Sequence, residues 1–123
     1  MSFSLSKPTT QMLGRWQPWH DGHTELFKRA IKETGQVAIM VRNILDKDNP
    51  FEFHQISSDI QWALKQIGYE HHIDYIIMQV PNIVDISYGR GVGYTFTEHD
   101  LGKEIHNISA TNIRKEMREK GEL

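Results

Sequence analysis

The chain has 123 residues, 38% of them hydrophobic and 24% charged, which suits one globular domain able to bury roughly two-thirds of its unfolded surface. It contains no cysteine, so disulfide frameworks, zinc ribbons, thioredoxin-type redox sites and thiol nucleophiles are excluded. Fourteen basic residues against sixteen acidic ones leave a formal net charge of -2, which argues against a surface for polymeric nucleic acid but not against a small anion in a locally basic pocket.

Residues Met1 to Pro8 read as a loose polar arm, with one lysine and no long apolar run, unlike a secretory signal. No stretch reaches the length of a membrane span, so a cytoplasmic protein without a membrane partner is expected. Thr9 to Trp16 predicts a first strand with Gly14 at its end. After the loop RWQPWH, Gly22 to Thr34 places Leu26, Phe27, Ala30 and Ile31 at helical spacing, with Asp21 as N-cap and Gly35 as stop. The continuous apolar run Val37 to Val41 predicts a strand covered on both faces.

Asn49-Pro50-Phe51-Glu52 spells an N-cap, a first-turn proline and a capping-box glutamate. Phe53, Ile56, Ile60, Ala63, Leu64 and Ile67 follow on one helical face, closed by Gly68, and Trp62 reads as packing. Ile73 to Val80 predicts a third strand stopped by Pro81. Ile83 to Tyr88 and Tyr94 to Glu98 predict a fourth and a fifth, separated by the glycine loop 89–93. A last helix is expected from Ser109 to Lys120, ended by Gly121. Alternating strands and helices imply an α/β domain over 1–123, a Rossmann-like parallel sheet of about five strands with helices on both faces. Such sheets bind ligands at the carboxyl ends of their strands.

The loop after the first strand reads GRWQPWHDGH, with His20 and His23 flanking Gly22 where strand hands over to helix. A helix N-terminus offers N–H groups and partial positive charge to a phosphate, and two imidazoles at this spacing can both donate to its oxygens. A core turn with two partly buried histidines is the plain alternative. A metal site is disfavoured because nearby sequence supplies no third ligand. Residues 108–114 read ISATNIR at the start of the last helix, where Ser109 and Thr111 supply hydroxyls and Arg114 a fixed cation. Alone, Ser109 is simply a good N-cap.

Together these segments resemble the two signatures of the small HxGH nucleotidyltransferases. That family includes glycerol-phosphate and phospholipid-precursor cytidylyltransferases and the nicotinamide-mononucleotide and phosphopantetheine adenylyltransferases. The resemblance spans nearly the whole chain. It implies that a phosphorylated acceptor attacks the α-phosphorus of a nucleoside triphosphate and expels pyrophosphate. His20, His23 and Arg114 would be the catalytic residues. Gly14, Arg15, Trp16, Gly22, Lys47, Arg90, Ser109 and Thr111 would bind nucleotide, and Mg²⁺ would be carried mainly by the phosphates with no metal ligand from the chain.

The short chain favours CTP, and the spelling Arg-Trp-Gln-Pro before His20 favours ATP. A non-catalytic nucleotide sensor is a further alternative, and relatives often form homodimers. Lys47, in the loop after the second strand, and Arg42 are candidate phosphate contacts, although Asp46-Lys47-Asp48 also reads as an ordinary solvated loop. Gly91 departs from the G-R-D-V-G-Y form of the late loop, and His54 and Gln55 stand where many members carry an arginine. His71 and His72 are expected on different faces at the surface, and His99 and His106 have no evident partner.

Overall fold

The computed structural model describes residues 2–90, 93–102 and 110–121. Three parallel strands, β1 (Thr10–Gly14), β2 (Val37–Arg42) and β3 (Tyr75–Val80), lie in the order β1-β2-β3. Met12 pairs with Ile39 and Ile39 with Ile77, so inward residues of all three strands share one face. Helix α1 (Asp21–Thr34) links β1 to β2, and α2 (Phe53–Lys65) links β2 to β3. Phe27, Ala30 and Ile31 of α1 and Ile56, Ile60 and Leu64 of α2 join Met12, Val37, Ile39, Val41 and Tyr75 in a single core. The stripe of α2 is a strict i, i+4, i+8 series. That places Trp62 on the opposite side, 69% exposed, so it is not the packing residue expected.

Both crossover helices pack on one face, because right-handed connections between strands laid down side by side fall on the same side. The reverse face carries Leu13, Met40 and Ile76 half-buried and Met78 exposed. The expected fourth and fifth strands are not formed. Residues 83–88 and 94–98 have no ladder partner, and Val84, Ile86, Tyr88, Tyr94 and Phe96 are exposed. Apolar alternation marks a segment that can pair, but a strand exists only where a neighbour takes its hydrogen bonds.

The N-terminal arm is tied down where a loose one was expected. Ser4 and the Gln36 side chain exchange two hydrogen bonds, and the Phe3 N–H donates to the His72 carbonyl. His71 and His72 also depart from expectation, since their rings stack at 3.8 Å. His72 has φ 71, which breaks strand alternation and brings consecutive side chains to one side.

Gly14 ends β1 where only glycine fits. A Cβ there would lie 2.7 Å from the Trp16 ring. That ring cannot yield easily: Trp16 is buried and donates its indole N–H to the Met40 carbonyl at 3.0 Å. Gly14→Ala is expected to cost about 1–3 kcal/mol through overpacking. Urea unfolding measures it, and an unchanged midpoint would show that the ring moves freely.

Candidate active site

The N-terminus of α1 is capped by a histidine. His20, not Asp21, is the N-cap, and its Nδ1 accepts from the Gly22 N–H at 3.0 Å. His23 answers from the third helical position, its Nδ1 accepting from the His20 N–H at 3.2 Å. A neutral imidazole nitrogen thus does the work of the usual cap oxygen, and Asp21 adds negative charge to the first turn, where the helix dipole welcomes it. The His23 and Thr24 N–H groups both reach the His20 carbonyl. The N–H groups of Gly22, His23 and Thr24 are therefore used internally, and the free helix mouth expected from sequence is largely closed by its own cap.

What the capping leaves is more specific. With both Nδ1 atoms accepting, each ring carries its proton on Nε2, the edge turned away from the helix end. The two rings stack with centroids 3.6 Å apart and planes 17° apart. Trp16 packs edge-on against His23 at 4.7 Å and Trp19 at 5.4 Å. Burial in this aromatic box, reinforced by the neighbouring His20, pushes the His23 pKa down to about 3. Burial also lowers that of His20, against the opposing charge of Asp21. Near neutral pH the pair is a set of two uncharged N–H donors.

The loop before the histidines is fixed by its side chains. The Gln17–Pro18 peptide is cis. Gln17 is buried, its amide donating to the Phe51 carbonyl at 2.8 Å and accepting from the Phe51 N–H at 2.9 Å. Asn49 is held in a turn by Asp46, whose Oδ1 accepts from the N–H groups of Asp48 and Asn49 and from the Asn49 amide. With Asn49 and Phe51 engaged elsewhere, the expected Asn49 cap does not form, and α2 starts at Phe53 with Glu52 as an N-cap that makes no side-chain bond.

The last described helix, α3 (Ala110–Glu119), lies across both loops. Arg114 is buried and donates Nη1 to the Gln17 carbonyl, 97 residues away in sequence. One turn later Arg118 donates to the Lys47 carbonyl. Arg114 also feels Arg15 and Arg118 as like charges and Asp46 and Asp48 as opposite ones, and burial first, then those arginines, lowers its pKa. The carboxyl ends of β1 and β2 are thereby bridged, Arg114 bonded to the loop that carries His20 and Arg118 to the loop after β2, with Arg15 near enough for Arg114 to feel its charge.

Among the sequence-predicted residues, His20, His23, Gly22, Arg15, Lys47 and Arg114 thus belong to one region. Arg15 and Lys47 are exposed and Gly22 is buried. Trp16 lies in the core with its N–H spent on Met40, so its visible contribution is to wall in His23. Arg90 is exposed in the loop after β3, and Arg42 donates to the Asn82 side chain at 2.8 Å. Ser109, Gly91, His106 and the side chain of Thr111 lie outside the described residues. Sequence reading missed Gln17 and Arg118; the signal for Gln17 was a polar residue enclosed by Trp16, Pro18 and Trp19. Among the described residues no three His, Asp or Glu side chains converge as a metal site, and no helix is long and apolar enough to cross a membrane.

No protein-family model matches the chain. Among curated proteins it is similar to a nicotinamide-nucleotide adenylyltransferase of Methanococcus aeolicus, with 25% identity over 111 residues, covering 85% of this chain and 64% of that protein. The chain spans a little under two-thirds of that relative's length.

Proposed function

We propose that this chain is a nucleotidyltransferase that moves an adenylyl group from ATP to a small phosphorylated acceptor. The observation that carries the reading is the Arg114–Gln17 contact, which joins the last residue of the second signature to the loop of the first. Stacked neutral imidazoles and a guanidinium cluster then share one end of the sheet, a donor set suited to the tail of a triphosphate. The similarity to an adenylyltransferase favours ATP over the CTP that the short chain suggests.

In this reaction an acceptor phosphate oxygen forms a bond to the α-phosphorus as the bond to the β-phosphate oxygen breaks, and pyrophosphate leaves. The acceptor is already anionic, so no protein base is needed. His20 and His23 donate Nε2–H to phosphate oxygens, and Arg114, with Ser109 and Thr111, holds the departing pyrophosphate. Arg15 and Lys47 add charge at the rim. Mg²⁺ would accompany the nucleotide and supply charge neutralisation to its phosphates, with no residue of this chain assigned to hold it. Alignment of the two reactants supplies on the order of 7–11 kcal/mol of the barrier.

A matrix of ATP and CTP against small phosphates, nicotinamide mononucleotide among them, scored by pyrophosphate, tests this. ATP is expected to give release with at least one acceptor, and at about 100 times its dissociation constant to stabilise the fold by about 2.7 kcal/mol. Faster release from CTP would restore the cytidylyl alternative. Nucleotide-dependent stabilisation without pyrophosphate from any pair would make the chain a sensor, and neither response would remove the function altogether.

A further inference from the structure

Gln17 makes more of its surroundings than a loop residue needs. It is 2% exposed, and its amide reads the main chain of Phe51 through both the N–H and the carbonyl. Two bonds from one planar group fix distance and orientation together, whatever side chain stands at Phe51. The backbone carbonyl of the same residue takes Arg114. Gln17 is thus the one described residue bonded to both the entrance of α2 and the arginine of α3.

Phe51 also faces the other way. With Phe53, Asn43, Glu52, His54 and Gln79 it lines a groove of about 170 Å³ at the carboxyl ends of β2 and β3. Among the described residues no lysine or arginine lines this groove, and Glu52 gives it a negative charge. A phosphate is unwelcome there, whereas an uncharged or cationic organic group bearing hydrogen-bond donors is well matched. Arg114, the cation assigned to the phosphate end, is bonded instead to the main-chain carbonyl of Gln17.

We propose that Gln17 is the positioning residue that holds this groove in register with the phosphate cradle, so that an acceptor seated by its uncharged or cationic end meets the α-phosphorus in line. The proposal rests on the transfer reaction above. It follows from geometry: the groove moves with Phe51, the cradle with the Gln17 loop, and the paired amide is the link between them. Loss of alignment by about 1 Å lowers a rate by about 10²-fold while each reactant still binds.

Gln17→Met keeps the length and removes both bonds. It is expected to leave the ATP dissociation constant within about threefold and lower kcat per folded molecule by about 10²-fold. Amide exchange supplies a readout without turnover: ATP should raise protection of the Phe51 N–H in the wild type and not in Gln17→Met. A kcat within about threefold of wild type, or equal ATP-induced protection in both proteins, overturns the proposal. If the wild type turns over no acceptor, the transfer reading fails, and the exchange comparison still decides the coupling. Should Gln17→Met not fold, Gln17→Glu serves: its carboxyl donates to the Phe51 carbonyl only when protonated, so kcat relative to wild type should rise from pH 8 to pH 5.5. A flat ratio overturns the proposal.

Discussion

Changing His23 to asparagine is expected to lower kcat by about 10²–10³-fold with the fold retained, the effect of losing one preorganised donor to developing phosphate charge. Asparagine keeps an acceptor near the place of Nδ1, so the bond from the His20 N–H can persist while the Nε2–H is lost. Glutamine reaches further and places an amide N–H near the former Nε2, so His23→Gln should recover part of the rate. If asparagine and glutamine are equally impaired, the loss is one of packing between Trp16 and Trp19 and not of a donor. Full activity in the asparagine variant would remove His23 from the reaction.

The same ring makes the fold sensitive to acid. Its folded pKa is depressed from 6.5 to about 3, so the unfolded chain takes up a proton below 6.5 while the folded one resists until about 3. The neutral form's contribution is complete above 6.5 and is lost as the pH falls through that window, at up to about 1.4 kcal/mol per unit. Thermal unfolding at pH 7 and pH 5 should show a smaller drop in His23→Asn than in the wild type. Equal drops would assign acid sensitivity to other groups.

The parts of this molecule legible in sequence are those decided by near neighbours. The spacing of Phe27, Ala30 and Ile31 and the stop at Gly35, which has φ 90, give α1 almost to the residue. The apolar run 37–41 gives β2, one residue short. Distant partners defeat local rules elsewhere. The capping signature at Asn49 is sound, yet Gln17 takes both main-chain groups of Phe51 and Asp46 takes Asn49, so the helix begins later. Alternation over 83–88 satisfies every local criterion for a strand and still forms none. Trp16 was assigned only by resemblance, and local sequence gave no sign that its ring is buried over Gly14, whose hydrogen leaves the room for it. Around the proposed site, the place of His20 and His23 at the entrance of α1 was legible from local spacing, but the neighbourhood of Arg114 was not. Its partner lies at the other end of the chain, and only resemblance to a two-signature family put the segments together.

Arg114→Ala is therefore the variant that tests the assembly as a whole. Arginine 114 is 6% exposed and bonded to the Gln17 carbonyl, so its removal leaves that buried acceptor without this donor and unpins α3 from the loop. A hydrogen bond involving a charged group contributes about 1.5–3 kcal/mol, and a stability loss of that order is expected on urea unfolding. The affinity for MgATP should fall in parallel by about one to two orders of magnitude if, as proposed, the same guanidinium supplies charge to the phosphate tail. Lysine separates the two effects. Arg114→Lys keeps a positive charge but not the planar fork, so it should recover more of the nucleotide affinity than of the stability, since one ammonium cannot hold a carbonyl and face a phosphate with the same fixed geometry. Isothermal titration with MgATP alongside urea unfolding gives both quantities for each variant. Unchanged affinity in folded Arg114→Ala would confine this arginine to holding the loop, and the phosphate cradle would then rest on His20, His23 and the exposed cations alone.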